Sequence, residues 1–485
     1  MSEEAADQTV DVVVIGGGAV GEVAAGYTHQ GGLSVALVEQ SLLGGECSYY
    51  ACMPSKALLR PGQAVAAARG VEGAGPAVTG PLDAAGVLAR RTTFTHDWDD
   101  SSQVRWAVGE GLEVVRGTAR LVGEREVVVA GADGEERRLG ARHAVVLATG
   151  SMPSTPPIPG LDRTRHWTTR DATSSHEVPP RLVVIGAGVA GCELALAYVR
   201  LGSAVTVVAR SQVLPMYPFR AGGMVARGLS LAGADVRTQV ETTSIERPEG
   251  PDEPAVIRLS DGHTMVAEEV LVATGRRPHT RGLGLETVGL EVPDGKPLEV
   301  DDSGRVTALA DGWLYAVGDV TGRAPLTHQG KYAARVVGDA IAARAAGKAA
   351  EPRPWSAYAA TADHAAVPQV VFTDPELAQV GLTEQQARER GHRVRTAEVD
   401  LYEVAGASIL ADHYTGWAQL VIDDERDVVL GAIFVGQDVA ELLHAATIAV
   451  VGEVPLDRLW HAVPAYPTLS EAWLKLLEAD RARTA

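Results

Sequence analysis

The hydrophobic pattern near the start of the chain changes from that of a strand to that of a helix. Residues 10–15 form a short, almost wholly apolar run, as in a buried parallel strand, and an Ala-rich segment follows 16–21. A second apolar run ends on Glu39. The pattern predicts strand, tight turn, helix and strand, with Glu39 at the distance of a ribose-binding acid. The glycines placed to approach a pyrophosphate are Gly16, Gly18 and Gly21.

The same pattern returns later in the chain, where residues 181–195 repeat residues 11–25 at a constant offset of 170. The repeated glycines are Gly186, Gly188 and Gly191. Two such units predict two bound nucleotides. The position equivalent to Glu39 is an alanine, followed by Arg210. A cation there suits the extra phosphate of NADPH, and a solvated arginine at a helix edge is the alternative.

The rest of the chain alternates between strand-like and helix-like patterns. Helices are predicted over 57–69, 82–95, 327–345, 384–390, 439–451 and 469–481. Strand and turn are predicted over 112–139, and strands over 144–150, 271–275, 314–320, 367–372, 417–422 and 428–435. Ala132-Asp133-Gly134 is a hairpin signal, and the polar stretch 96–102 is interpreted as a loop or helix cap. Asp319, at a strand end, is placed either to bind a cofactor's sugar hydroxyls or to cap a helix.

Two interruptions divide the chain. Residues 151–160 carry four prolines, and 347–354 is a polar linker. A length of 485 residues and 46% hydrophobic content fit about three folded domains.

Composition narrows the possible partners. The formal net charge of −19 gives no electrostatic footprint for nucleic acid or an anionic membrane, and no apolar run approaches a membrane span. Residues 1–9 are acidic and do not resemble a secretory signal. We therefore expect a cytoplasmic protein, a setting where a disulfide is more often catalytic than structural.

Candidate redox chemistry lies just after the first glycine-rich unit. Cys47 and Cys52 are two of only three cysteines, and their spacing allows a reversible disulfide beside a redox cofactor. Half of a metal site and two ordinary buried thiols are the alternatives, although no second Cys or His cluster follows. Cys192, inside the second glycine-rich unit, is interpreted as structural.

These motifs, in this order, resemble the pyridine nucleotide-disulfide oxidoreductases, which include dihydrolipoamide dehydrogenase, glutathione reductase and mercuric reductase. The resemblance rests on the dithiol followed by Pro-Ser-Lys, the two glycine fingerprints, the two Ala-Thr-Gly strands, the Gly-Asp strand and residues 467–471. It implies an α/β fold with two Rossmann-like FAD- and NAD(P)-binding domains plus a C-terminal α+β dimerisation domain. FAD would bind 1–156 and 280–350, NADPH or NADH would bind 157–279, and 355–485 would form a homodimer interface.

The resemblance also implies residue roles. Cys52 would be the sulfur next to the flavin and Cys47 the outer sulfur that exchanges with a small-molecule acceptor. Lys56 would lie near the reactive edge of the flavin, paired with Glu193. Further cofactor contacts are implied at Gly45, Ala119, Thr149, Gly150, Asp319 and Gly275.

One position departs from the family pattern. The disulfide-reducing members carry a His before the Pro of the last motif, paired with a Glu, as the acid and base for the outer thiol. Here that His is Tyr466, and the Glu is Glu471. A phenol with a pKa near 10 is a poor base at neutral pH, and the nearby His461 does not align.

Three functions therefore stay open at this point. The chain is a reductase of disulfides, a reductase of quinones or metal ions, or a redox-sensing flavoprotein. Mercuric reductase shares the Tyr, but it also ends in a cysteine pair that residues 480–485 lack.

Overall fold

The computed structural model describes residues 6–484. Residues 1–5 of the acidic start, and Ala485, lie outside the described residues. The strands are β1 Gln8–Ile15, β2 Val35–Glu39, β3 Glu113–Arg116, β4 Thr118–Gly123, β5 Glu126–Ala130, β6 Glu136–Leu147, β7 Ser151–Pro153, β8 Arg181–Ile185, β9 Ala204–Ala209, β10 Asp235–Thr238, β11 Thr242–Glu246, β12 Ala255–Leu259, β13 Thr264–Ala267, β14 Glu269–Val272, β15 Arg276–Pro278, β16 Leu314–Ala316, β17 Gln369–Val371, β18 Glu376–Gly381, β19 Val394–Asp400, β20 Trp417–Asp423 and β21 Val428–Gly436.

The α-helices are α1 Ala19–Gln30, α2 Gly45–Tyr49, α3 Cys52–Arg69, α4 Ala84–Phe94, α5 Ser101–Gly109, α6 Thr169–Ser174, α7 Val189–Arg200, α8 Phe219–Ala232, α9 Thr327–Ala345, α10 Ala362–Ala365, α11 Glu384–Glu389, α12 Ala405–Leu410, α13 Leu443–Val451, α14 Leu456–Leu459 and α15 Glu471–Thr484. Short 3-10 helices cover Gly75–Ala77, His96–Trp98, Leu161–Arg163, Leu285–Val288, Gly318–Thr321, Leu401–Glu403 and Val439–Leu442.

The first compact unit contains the first glycine-rich motif and comprises residues 6–54, 92–154 and 276–363. Its sheet has the order β3-β2-β1-β6-β5-β4, and β16 also pairs with β6. Val12 and Val14 of β1 pack in one apolar cluster, while Val13 and Ile15 pack in another. Because both faces of β1 are covered over 12–15, this part of the strand is continuously apolar rather than alternating.

The second compact unit comprises residues 55–91, 155–275 and 364–484. Its parallel sheet has the order β10-β9-β8-β14, and β11, β12 and β13 form a small antiparallel sheet. The same unit holds the antiparallel sheet β17-β18-β21-β20-β19, in which β20 and β21 are buried throughout. These sheets confirm the α/β prediction with an α+β C-terminal part.

The predicted elements agree with the structure in some places and differ from it in others. Helix α9 spans Thr327–Ala345 as predicted, and the hairpin between β5 and β6 turns at Gly134, which has φ +84°. The stretch 96–102, interpreted as a loop or helix cap, contains a short 3-10 helix at His96–Trp98 and then Asp100, which is the N-cap residue of α5. Strands β18 and β19 were not predicted. Strand β19 is mostly half-buried and polar, so it lacks a clear apolar period.

Within residues 6–484, no helix is both long and apolar enough to cross a membrane.

Candidate active site

The first glycine-rich turn has a geometry that only glycine satisfies. Gly16 has φ +104°, and a Cβ there would lie 2.4 Å from the Ala148 carbonyl oxygen. A Cβ at Gly21 would lie 1.8 Å from the Gly16 carbonyl oxygen, so the turn and α1 are in backbone contact. Around Gly18, by contrast, the nearest atom to such a Cβ would be 3.9 Å away. The backbone at the start of α1 is therefore accessible, and it fits the pyrophosphate of a dinucleotide.

Glu39 and Gly45 lie against this turn. The Gly17 N–H donates to Glu39 Oε2 at 2.7 Å, and the Ser41 N–H donates to Glu39 Oε1 at 2.7 Å. Gly45 has φ +63°, and a Cβ there would come within 2.7 Å of Gly18 Cα. Glu39 thus stands at the end of β2 beside the turn, where a ribose of the same dinucleotide is expected.

The two cysteines of the predicted dithiol lie together in the first unit, as thiols. Cys47 lies in the short helix α2, and Cys52 begins α3, so a break at Tyr50 separates them rather than one continuous helix. The pKa of Cys47 is raised by a hydrogen bond with Cys52, by burial and by the charge of Cys52. A hydrogen bond with Thr327 and the charge of Lys331 act in the opposite direction. Thr327 Oγ1 lies 3.4 Å from Cys52 Sγ. The two sulfurs and the Thr327 hydroxyl therefore form one group of neighbouring polar atoms in the first unit.

The ends of β6 and β16 contribute polar groups in the same unit. Thr149 Oγ1 donates to the His279 carbonyl at 2.8 Å, and Gly150 follows with φ +72°. The Ser151 hydroxyl donates to Asp319 Oδ2 at 2.6 Å. Asp319 lies within a 3-10 turn rather than at its cap, and its carboxylate is an acceptor. Ala119 is buried in β4.

The second glycine-rich turn repeats the first in the other unit. Gly186 has φ +109°, and a Cβ at Gly191 would lie 2.1 Å from the Gly186 carbonyl oxygen. Cβ atoms at Gly188 and at Gly275 would meet nothing within 4 Å. The exposed Arg210 directly follows β9. This turn also fits a dinucleotide, with a cation after the second strand.

Lys56 and Glu193 form an ion pair in the second unit. Lys56 Nζ lies 2.6 Å from Glu193 Oε2, with side chains 35% and 3% exposed. The Phe372 N–H donates to Glu193 Oε1 at 3.0 Å, and Lys56 Nζ lies 4.9 Å from the centroid of the Phe372 ring. Cys192 is fully buried, and burial, followed by the charge of Glu193, raises its pKa to about 12. Such a thiol is inert at neutral pH.

The C-terminal motif does not form a closed acid–base pair. Tyr466 is 77% exposed, and the Tyr466–Pro467 peptide is cis. Glu471 begins α15, and its Oε2 is buried without a hydrogen-bond partner among the residues that the structure describes. His461 is exposed.

Comparison with known families identifies the chain. Residues 10–347 match the family model described as pyridine nucleotide-disulphide oxidoreductase, and 367–477 match the dimerisation domain of that family. The chain belongs to the pyridine nucleotide-disulfide oxidoreductase family. As a member, it is a flavoprotein NAD(P)H-dependent oxidoreductase that uses FAD, and the predicted fold class is confirmed.

Individual relatives cover nearly the whole chain. Dihydrolipoyl dehydrogenase 2 of Haloarcula marismortui is 33% identical over 476 residues, which cover 95% of this chain and 94% of the relative. Mercuric reductase of Staphylococcus aureus is 31% identical over 474 residues, covering 97% and 82%. The crystal structure of LpdA from Mycobacterium tuberculosis has a TM-score of 0.81 at 26% identity and covers 98% and 100% of the two chains.

Both glycine-rich turns of this oxidoreductase fit the cofactors of the family. The first would hold FAD through the backbone of 16–21 with Glu39 and Asp319, and the second would hold the nicotinamide dinucleotide.

Sequence reasoning missed three groups at the site. Thr327 at the start of α9, Ser151 beside Asp319 and Phe372 beside Glu193 were not predicted. A threonine at a helix start ordinarily indicates a cap, so Thr327 carried no signal of its contact with a cysteine 275 residues away.

Proposed function

We propose that this oxidoreductase passes electrons from NADPH to the Cys47/Cys52 pair and then to a small disulfide-type acceptor, as a homodimer. The observation that carries the proposal is the dithiol itself, with Cys47 hydrogen-bonded to Cys52 and Thr327 next to Cys52. FAD, when bound, supplies the two-electron chemistry between the nicotinamide and the sulfurs. The match of 367–477 to a dimerisation domain supports the homodimer.

The two cysteines divide the chemistry. In the proposed reaction the Cys47 thiolate attacks the acceptor disulfide, and the first acceptor thiol leaves with a proton. The Cys52 thiolate then attacks the Cys47 sulfur, forms the Cys47–Cys52 disulfide and releases the second thiol. The dithiol is oxidised by two electrons, and the acceptor disulfide is reduced to two thiols.

The ion pair has a separate role in this proposal. Lys56, held by the buried Glu193, supplies a fixed positive charge four residues after Cys52 along α3. A cation there favours the anionic states of the reduced centre. The preference for NADPH is supported by Arg210 after β9, in place of a ribose-binding acid.

The second candidate function is reduction of a quinone or metal ion. The exposed phenol of Tyr466, and the mercuric reductase among the relatives, favour it. Such acceptors take electrons without a proton-transferring base for the outer thiol.

The deciding experiment uses the purified yellow holoenzyme. Anaerobic NADPH titration is followed by visible absorption, and turnover is then measured with lipoamide, glutathione disulfide and a benzoquinone for the wild type, Cys47→Ser and Cys192→Ser. We expect Cys47→Ser to lose at least about 100-fold in disulfide turnover, since the attacking thiolate is gone, while Cys192→Ser retains it. Quinone turnover unchanged in Cys47→Ser, with no disulfide turnover in the wild type, would establish the second function instead.

A further inference from the structure

The backbone between the two cysteines is hydrogen-bonded to another segment of the first unit, residues 96–101. Tyr49 is the last residue of α2, so its carbonyl oxygen lies beyond the hydrogen bonds of that helix. The Trp98 indole N–H donates to this oxygen at 3.2 Å. The bond therefore holds the backbone just before the break that separates Cys47 from Cys52.

A second bond from the 96–101 segment holds the residues before α2. Asp100 is the N-cap residue of α5, yet its side chain makes no capping hydrogen bond within the described part of the chain. Its Oδ2 instead accepts from the Leu43 N–H at 2.6 Å. The Arg116 guanidinium bonds to the same oxygen and also donates to the Ser41 carbonyl. The segment thus restrains the chain on both sides of the cysteine-bearing helix α2.

The backbone of the 96–101 segment is strained. His96, Asp97 and Trp98 have φ values of +49°, +52° and +56°, so three consecutive residues with side chains adopt the left-handed conformation. This conformation brings each Cβ close to the following carbonyl oxygen and costs free energy at every such residue. Strain of this kind persists only where the surrounding structure holds it, and it is concentrated at functional sites. Here the left-handed turn ends at the residue whose indole reaches the Tyr49 carbonyl.

We propose that Trp98 and Asp100 are positioning residues that hold Cys47 within reach of Cys52 for the step that closes the disulfide. In that step the Cys52 thiolate attacks the sulfur of Cys47 in the mixed disulfide. The Cys47–Cys52 bond forms, and the second acceptor thiolate leaves and takes up a proton. The rate of such an intramolecular step depends on how well the reacting atoms are held together. The inference rests on the proposed function, since it concerns the same dithiol.

The test separates the attack by the first sulfur from the closure by the second. The holoenzyme, with Cys192→Ser as the parent, is reduced with dithiothreitol, desalted anaerobically and mixed with one equivalent of dithiobis(nitrobenzoate). The Cys47 thiolate cleaves the reagent and releases one nitrothiolate, and closure by Cys52 releases the other. Stopped-flow absorbance follows both releases, while flavin absorbance and thermal unfolding report whether each protein is folded.

The variants are Trp98→Phe, Asp100→Ala and Asp100→Asn. Trp106→Phe is the matched control, because Trp106 is 41% exposed on the neighbouring helix α5.

We expect Trp98→Phe, which keeps an aromatic ring and loses the N–H, to slow the second release by about three- to tenfold, the effect of one lost hydrogen bond. The first release should stay within about twofold, since it needs only one sulfur. Asp100→Ala should act in the same direction. Asp100→Asn keeps an acceptor for the Leu43 N–H and should recover most of the rate, and Trp106→Phe should change neither release.

A second release as fast in Trp98→Phe and Asp100→Ala as in Trp106→Phe would overturn the inference. Equal slowing of both releases would overturn it too, because a general structural defect affects both steps alike. If Trp98→Phe does not fold, the difference between Asp100→Ala and Asp100→Asn decides. Failure of the proposed function has a different signature, since the parent itself would then release only one nitrothiolate, or disulfide turnover would survive Cys47→Ser.

Discussion

The buried ion pair of Lys56 and Glu193 gives a prediction whose size follows from the structure. The change is Lys56→Met, which preserves much of the apolar stem and removes the charge. Two unit charges 2.6 Å apart attract by about 6 kcal/mol at an effective dielectric constant of about 20. Desolvation offsets part of this, and breaking a buried pair typically costs about 3–5 kcal/mol. Because Lys56 is 35% exposed, we expect a loss of about 3 kcal/mol in the free energy of unfolding at pH 8.

The loss should depend on pH, with a defined sign. Without its cation, the 3% exposed Glu193 carboxylate is an unpaired buried charge in the folded variant, whereas it is solvated in the unfolded chain. Because the cost of burying this charge is met only where the carboxyl is ionised, the free energy of unfolding of the variant falls as pH rises from about 4.3. At pH 5 the loss should shrink to about 1 kcal/mol.

The free energy of unfolding is measured by urea unfolding of the holoenzyme at fixed protein concentration, followed by tryptophan fluorescence at pH 5 and pH 8. Lys348→Met is the exposed control, and Lys56→Met/Glu193→Gln should recover most of the loss, since no buried charge remains. A loss below about 1 kcal/mol at pH 8, or the same loss in the double variant, would refute the electrostatic reasoning.

Two further predictions concern the second glycine-rich turn. Gly191→Ala should lower the free energy of unfolding by about 1–3 kcal/mol, since its Cβ would lie 2.1 Å from a backbone oxygen. Gly188→Ala should lower it by at most about 0.5 kcal/mol, yet it should weaken NADPH binding. Thermal unfolding and fluorescence titration with NADPH separate the two effects, and equal stabilities for both variants would contradict this assignment. Arg210→Ala should raise the Kd for NADPH by at least about tenfold and leave the Kd for NADH within about twofold, because a phosphate contact is worth about 1.5–3 kcal/mol. An equal rise of the Kd for both nucleotides would show that Arg210 does not contact the extra phosphate.

The local parts of the site were determined by the sequence. A strand, a glycine turn and a helix are specified by residues next to each other, so 16–21 and 186–191 were found with their spacing. The same holds for α9, whose bounds agree with the predicted 327–345. Fold class followed because two such units in order, with the dithiol and the C-terminal motif, are specific to one family.

Tertiary structure decided what surrounds these motifs. Thr327 reaches Cys52 across 275 positions, and Phe372 reaches Glu193 across 179, because packing brings distant segments together without any local pattern. Glu22 looks like an ordinary helix residue in the sequence, yet the packing of α1 buries it and moves its pKa to about 7. Local periodicity specifies which elements form, whereas the charge and reactivity of a side chain depend on the dielectric and the neighbours that only folding supplies.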